Sequence, residues 1–193
     1  MELKQETGKP LIAIAEDTVA SGAYWVAMAA DELVVNASTV TGSIGVIMQS
    51  MGVEELLDRL GVEPRVFTAG ENKARLSPFA ALKGSDRKKA QAVLDATHQE
   101  FIRVVKEGRG ERLKGDPVEV FSGDFWTGAQ AIELGLADRL GSVHTVMRDF
   151  GVKHYREYTA HATLSDLLPA PLRSVLSFLL GIDLRSPVSA TLY

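Results

Sequence analysis

A chain of 193 residues that is 46% hydrophobic and 24% charged, with 17 Gly and 7 Pro, lies in the ordinary globular range, outside the disordered, collagen-like and disulfide-rich classes. Its formal net charge of -4 gives no electrostatic case for nucleic acid as a partner, and the absence of Cys excludes disulfides, thiol nucleophiles and cysteine-based zinc sites. No HExxH-like histidine spacing replaces them, so neither a metal nor another cofactor is expected. The opening MELKQETGKP is too polar for the centre of a signal peptide, and no uninterrupted run of about 18 apolar residues occurs, so the chain as written reads as soluble.

KPLIAIAED, introduced by Pro10, has the length and composition of a strand, and TVASGAYWVAMAADE behind it has helical spacing. Residues 32–37 (ELVVNA) are rich in β-branched side chains and end at Ser38 and Thr39, which predicts a second strand and a loop before the glycine-punctuated TGSIGVIMQ. Residues 53–60 set Leu56, Leu57 and Leu60 on one helical face and stop at Gly61; PRVFTA, residues 64–69, then reads as a strand. Strands alternating with helices predict an α/β fold with parallel strands. A loop over 70–78 leads to a long helix at about 85–107 and a charged loop over 108–117. TGAQAIELGLADRLGS reads as a short helix, a turn and a strand edge, and a further helix covers 143–150. The late stretch DLLPAPLRSVLSFLLGI is apolar but broken by two prolines and too short to span a bilayer.

Ser21, in VASGAYW, falls where the first strand gives way to the helix, and Gly22 lets the backbone bend sharply there. A serine so placed points outward, and the amide after it sits at a helix N-terminus able to stabilise an oxyanion; the same position also suits a plain N-cap. A serine nucleophile needs a base. His98, His144, His154 and His161 all lie in the second half and none sits in a suggestive motif, His98 falling within the long helix. Lysine is the alternative, provided burial favours its neutral amine. Lys73, in FTAGENKARLSP, follows the predicted 64–69 strand and is placed to reach back over the strand ends toward Ser21, although a lone lysine is ordinarily solvated. Tyr24 and Trp25 read as packing aromatics. Gly42 and Gly45 read as a tight turn, because GSIG lacks the Lys-Ser/Thr ending of a phosphate loop. Glu71 and Arg75 flank Lys73 and read as solvated, with no role assigned.

VASGAYW, TGSIGVI and AGENKARLSPF, in this order, resemble the signal-peptide peptidase A family of serine peptidases in its short, single-repeat form. The resemblance runs from about Pro10 to Tyr158 and takes in GDFWTGAQAIELGLADRLG. It implies Ser21 as nucleophile, Lys73 as general base, Ser43 as the serine whose hydroxyl orients the lysine, and the Gly22 amide as one of two oxyanion-hole donors. The implied fold is α/β, a Clp protease/crotonase-like spiral of ββα units. On this basis residues 1–160 are expected to form the C-terminal portion of the family's catalytic domain, and 161–193 a helical, apolar extension. Members of the family carry an upstream membrane anchor, further strands and a Gly-Gly segment that supplies the second oxyanion donor. The chain as written is therefore expected to be short at its N-terminus, with membrane association only through that anchor and a periplasmic active site. The implied partners are cleaved signal peptides or other unfolded apolar peptides, and further copies of the chain in a ring. The rival readings are a phage capsid-maturation protease and a catalytically inactive scaffold or oligomerisation module. A crotonase-type acyl-CoA enzyme ranks behind both, since it has no need of Ser21 with Lys73.

Overall fold

The computed structural model describes residues 6–156 and 158. The expected extension over 161–193, and His161 with it, lies outside the described residues. The chain divides into two compact units between Val143 and His144.

The first unit rests on two three-stranded sheets. In one, β1 (Ile12–Ala15) runs parallel to β3 (Glu32–Val35), which runs parallel to β6 (Arg139–Leu140). In the other, β2 (Thr18–Ala20) runs parallel to β4 (Val40–Gly42), and β5 (Phe125–Thr127) is antiparallel to β4. Consecutive strands β1 and β2, and again β3 and β4, thus go to different sheets, and α1 (Gly22–Ala27) follows the first pair. This ββα alternation is the spiral expected from the sequence. Flanked on both sides, β3 buries Leu33, Val34 and Val35, the near-continuous apolar run of a central parallel strand.

Helix α2 (Glu54–Arg59) is short and buries nothing, whereas α3 (Gly84–Arg109) closes the core. Phe101, Val105 and Arg109 recur every fourth residue along α3 and are its buried positions. Asp86 in the first turn and Lys106 and Arg109 in the last complement the helix dipole. A 3₁₀ turn (Gly110–Arg112) and α4 (Pro117–Val120) follow; α4 is capped by Asp116, whose side chain accepts the Val118 amide, with Pro at the start of the helix. Helix α5 (Gly128–Leu134) opens on a reciprocal capping box of Thr127 and Gln130 and ends at Gly135 in the left-handed region, φ 74°. A Cβ at Gly135 would lie 1.8 Å from the Arg112 carbonyl oxygen, so only glycine fits.

Arg109, 3% exposed, ties these elements together. Its Nε donates to the Gly135 carbonyl at 2.7 Å and its two terminal nitrogens fork onto Asp138 at 2.8 Å each. Asp138 also accepts the Leu33 amide at 2.7 Å and Arg112 at 3.0 Å. Burial works against the Asp138 carboxylate, but the Arg109 fork, the Leu33 amide and Arg112 outweigh it and hold its pKa below the ordinary range. Tyr24 lies fully buried beside this network and donates its hydroxyl to the Leu136 carbonyl at 2.6 Å; burial pushes its pKa up. Trp25 stacks on Phe101 with ring centroids 4.6 Å apart. Both aromatics are packing residues, as read from the sequence. Of the second unit, helix α6 (Val143–Asp149) and the irregular residues beyond it are described.

Three local readings change. Thr18–Ala20 belongs to a strand, not to the helix its spacing allowed, because pairing with Val40–Gly42 satisfies its backbone, and α1 is confined to Gly22–Ala27. Helix α4 starts at Pro117, the last residue of the expected 108–117 loop, because Asp116 caps it, and β5 falls where no element was expected. Residues 64–69 are irregular, not a strand; Val66 and Phe67 stand in solvent, the latter 93% exposed. A strand exists by pairing with a neighbour, and among the described residues this segment pairs with none.

Candidate active site

Ser21 occupies the single residue between β2 and α1, with φ 52° and ψ -125°. That backbone region is strained for any residue with a Cβ, by about 1–3 kcal/mol, and persists where surroundings impose it. Here they do: the Ser21 amide donates to the Gly42 carbonyl at 2.8 Å, and its own carbonyl accepts the Trp25 amide at 3.0 Å, starting α1. The serine is exposed, and its side chain makes no capping hydrogen bond, so its hydroxyl is not engaged as an N-cap. The amide of Gly22 precedes the first hydrogen-bonded amide of the helix.

Ser43 stands beside it. Register pairs Ala20 with Gly42, so Ser21 and Ser43 each follow directly on paired residues of adjacent parallel strands. Ser43 also has a positive φ, 50°, and its amide donates to the Asp124 carbonyl at 2.7 Å. Gly42, at φ 89°, packs so closely that a Cβ would sit 2.5 Å from the Trp126 ring. One nitrogen of the His98 ring lies 2.9 Å from the Ile44 carbonyl oxygen, so α3 braces the turn just after Ser43. His98 is thus a half-buried brace of this turn, a role its place in the sequence did not reveal.

Lys73 lies in a separate segment of successive turns. It is exposed, its amide donates to Gly70 at 3.1 Å, and among the described residues no hydrogen bond or ion pair joins its side chain to Ser21 or Ser43. Arg75, read as solvated, is instead engaged: it pairs with Asp86 of α3 at 2.8 Å and donates to Asn72 Oδ1 at 2.6 Å. Sequence reasoning missed this pair, although an acid in the first turn of a helix is itself a legible sign of an N-terminus. Two clefts open here. One of about 490 Å³ is lined by Asn72, Arg75, Leu76, Lys83 and Asp86, and one of about 270 Å³ by Met48, Leu76, Leu82, Ala90 and Leu94. Among the described residues no cluster of His, Asp and Glu could hold a metal, and no helix is long and apolar enough to cross a membrane.

Fold and junction together define the class: an α/β spiral protein with a candidate serine nucleophile at a strand-to-helix elbow. The model of peptidase family S49 matches residues 3–153, and the chain belongs to that family of peptidases. A Brucella abortus protein named Na(+)/H(+) antiporter NhaA is 44% identical over 147 residues, which cover 76% of this chain and 20% of that protein. A Synechocystis sp. protein provisionally named a protease is 37% identical over 143 residues, 73% of this chain and 51% of its own length. An Enterococcus faecium protein provisionally named signal peptide peptidase SppA is 31% identical over 132 residues, 68% of this chain and 38% of its own. The chain thus spans between a fifth and about half of the length of these relatives. Of solved structures, an enoyl-CoA hydratase/isomerase family member aligns over 76% of this chain and 38% of its own, with 12% identity and a TM-score of 0.34. A Hyphomonas neptunium protein provisionally placed in the same family aligns over 96% of this chain and 52% of its own, with 17% identity and a TM-score of 0.39.

Proposed function

We propose that the chain carries the reacting serine and lysine of a peptidase that cuts unfolded, apolar peptides, cleaved signal peptides among them, through an acyl-enzyme. The neutral amine of Lys73 takes the proton of Ser21, and Oγ attacks the scissile carbonyl. The Gly22 amide donates to the oxyanion, and Ser43 orients the lysine. The proton passes to the leaving amine, and water then attacks the ester, releasing the acid and restoring Ser21. One observation carries this reading above the others: Ser21 is held exposed in a strained elbow with its hydroxyl free of capping.

The apolar cleft of Met48, Leu76, Leu82 and Leu94 supports an extended apolar substrate. A second copy of the chain covers the exposed segment that carries Lys73. Exposed Ile47, Met51, Leu60 and Phe67 in the same stretch support such assembly into a homo-oligomer. By the family resemblance the whole protein works at a membrane, with its active site on the extracytoplasmic side, and residues 1–160 act as the catalytic part. Incubation with a signal-peptide-like apolar peptide, read by mass spectrometry, tests the proposal. Cleavage is expected from the wild type and not from Ser21→Ala or Lys73→Met; cleavage that survives Ser21→Ala removes the serine mechanism.

A further inference from the structure

The segment that carries Lys73 is wound on itself. The amides of Lys73, Arg75 and Ser77 donate to the carbonyls of Gly70, Asn72 and Ala74 at 3.1, 3.2 and 3.1 Å, so the lysine sits within a run of overlapping turns. The side chain of Arg75, two residues on, leaves this run and reaches α3. Its Nε meets Asp86 Oδ1 at 2.8 Å as an ion pair without hydrogen-bond geometry, with the two side chains 27% and 13% exposed, and a terminal nitrogen donates to Asn72 Oδ1. Leu76 follows at φ 62°, a conformation that a bulky side chain takes only when its surroundings impose it.

Other ion pairs in this stretch are different in kind. Arg59 with Glu55 and Arg65 with Glu63 stand 3.7 Å apart with side chains more than three-quarters exposed, the geometry of pairs that contribute little. The Arg75–Asp86 pair is short and largely shielded, and it ends on the helix that reaches the other two parts of the site. Farther along α3, His98 meets the carbonyl of Ile44, next to Ser43, and Phe101 stacks on Trp25 in the helix that Ser21 opens.

We propose that Arg75 and Asp86 form a positioning pair that registers the Lys73 segment on α3, and through α3 on Ser43 and Ser21. Neither residue touches substrate; the pair sets where the lysine stands. The inference rests on the reading of Lys73 as general base. It also explains how a lysine on an otherwise exposed segment is held in a defined place.

The test uses the full chain and two readouts: the rate at which a fluorophosphonate labels Ser21, and kcat and KM on an apolar peptide. Arg75→Ala and Asp86→Ala are each expected to slow labelling and kcat by about tenfold to a hundredfold with KM little changed, the cost of a misplaced catalytic group. The double variant should be no slower than either single one, because the two act as a unit. Exchanging the charges, Arg75→Asp with Asp86→Arg, should recover much of the rate, and Arg75→Lys part of it. Arg59→Ala should leave the rate unchanged. Should an alanine variant fail to fold, Arg75→Lys and the exchanged pair carry the test. Wild-type labelling by Arg75→Ala and Asp86→Ala while Lys73→Met is inert would overturn the pair and leave the base assignment intact. Additive losses in the double variant would also overturn it. Full labelling by Lys73→Met would overturn the base assignment and the positioning role together.

Discussion

The two halves of the candidate site are built in opposite ways. Around Ser21 and Ser43 every segment is locked: parallel strands in register, amides on defined carbonyls, Gly42 pressed onto Trp126, and α1 pinned by Tyr24 and by the stacking of Trp25 on Phe101. Around Lys73 the chain is exposed and rich in uncovered apolar side chains; the Arg75–Asp86 pair ties it to α3. The serine half is organised by its own fold, as electrostatic and positional catalysis requires. The lysine half offers surface for something else to cover. Substitutions should therefore affect stability on the serine side and association or turnover on the lysine side.

The largest break in that contrast comes from the buried network beneath the serine half. Arg109→Ala removes the buried guanidinium and takes its fork from the half-buried Asp138, which keeps Arg112 and the Leu33 amide, and should lower stability by about 3 kcal/mol, read as a fall in the denaturant midpoint. The same network gives a pH dependence with a definite sign. Because the folded pKa of Asp138 is lowered, the unfolded state binds the proton more readily. The stabilisation is thus fully present above the unfolded value of about 4 and is lost as pH falls through the folded one. The melting temperature of the wild type should drop in acid, and Asp138→Asn, less stable at neutral pH, should show a shallower drop.

A finer probe is Ser21→Gly. It relieves a positive φ and should raise stability by about 1 kcal/mol while abolishing labelling, the trade expected where strain serves function. Loss of stability instead would mean that the serine side chain contributes packing the elbow needs. The smallest effect is expected on the lysine side. Phe67→Ser should change the stability of the isolated chain by less than about 0.5 kcal/mol, since the ring is almost wholly in solvent. A sedimentation shift in the same variant would locate Phe67 in an interface between copies.

Sequence alone made the serine half largely legible, because its determinants are local. A Ser-Gly pair between a strand and a helix, a glycine-bounded turn and aromatics at helical spacing all act within a few residues. It was less legible where pairing is tertiary. Thr18–Ala20 could be helix or strand until β4 supplied a partner, and PRVFTA has a strand's composition but no neighbouring strand among the described residues. Arg75 looked solvated because its partner, Asp86, lies across a loop on another element, and no periodicity links the two. His98 likewise gave no sign that its ring would meet the backbone beside Ser43.

The central claim is that Ser21 and Lys73 act together. Mass spectrometry of the intact protein and its peptides after exposure to a fluorophosphonate tests it most directly, with wild type, Ser21→Ala and Lys73→Met compared after each is shown to be folded. The account predicts one adduct per chain on Ser21 in the wild type and none in either variant. Labelling of Lys73→Met at the wild-type rate, or an adduct on another residue that persists in Ser21→Ala, would contradict it.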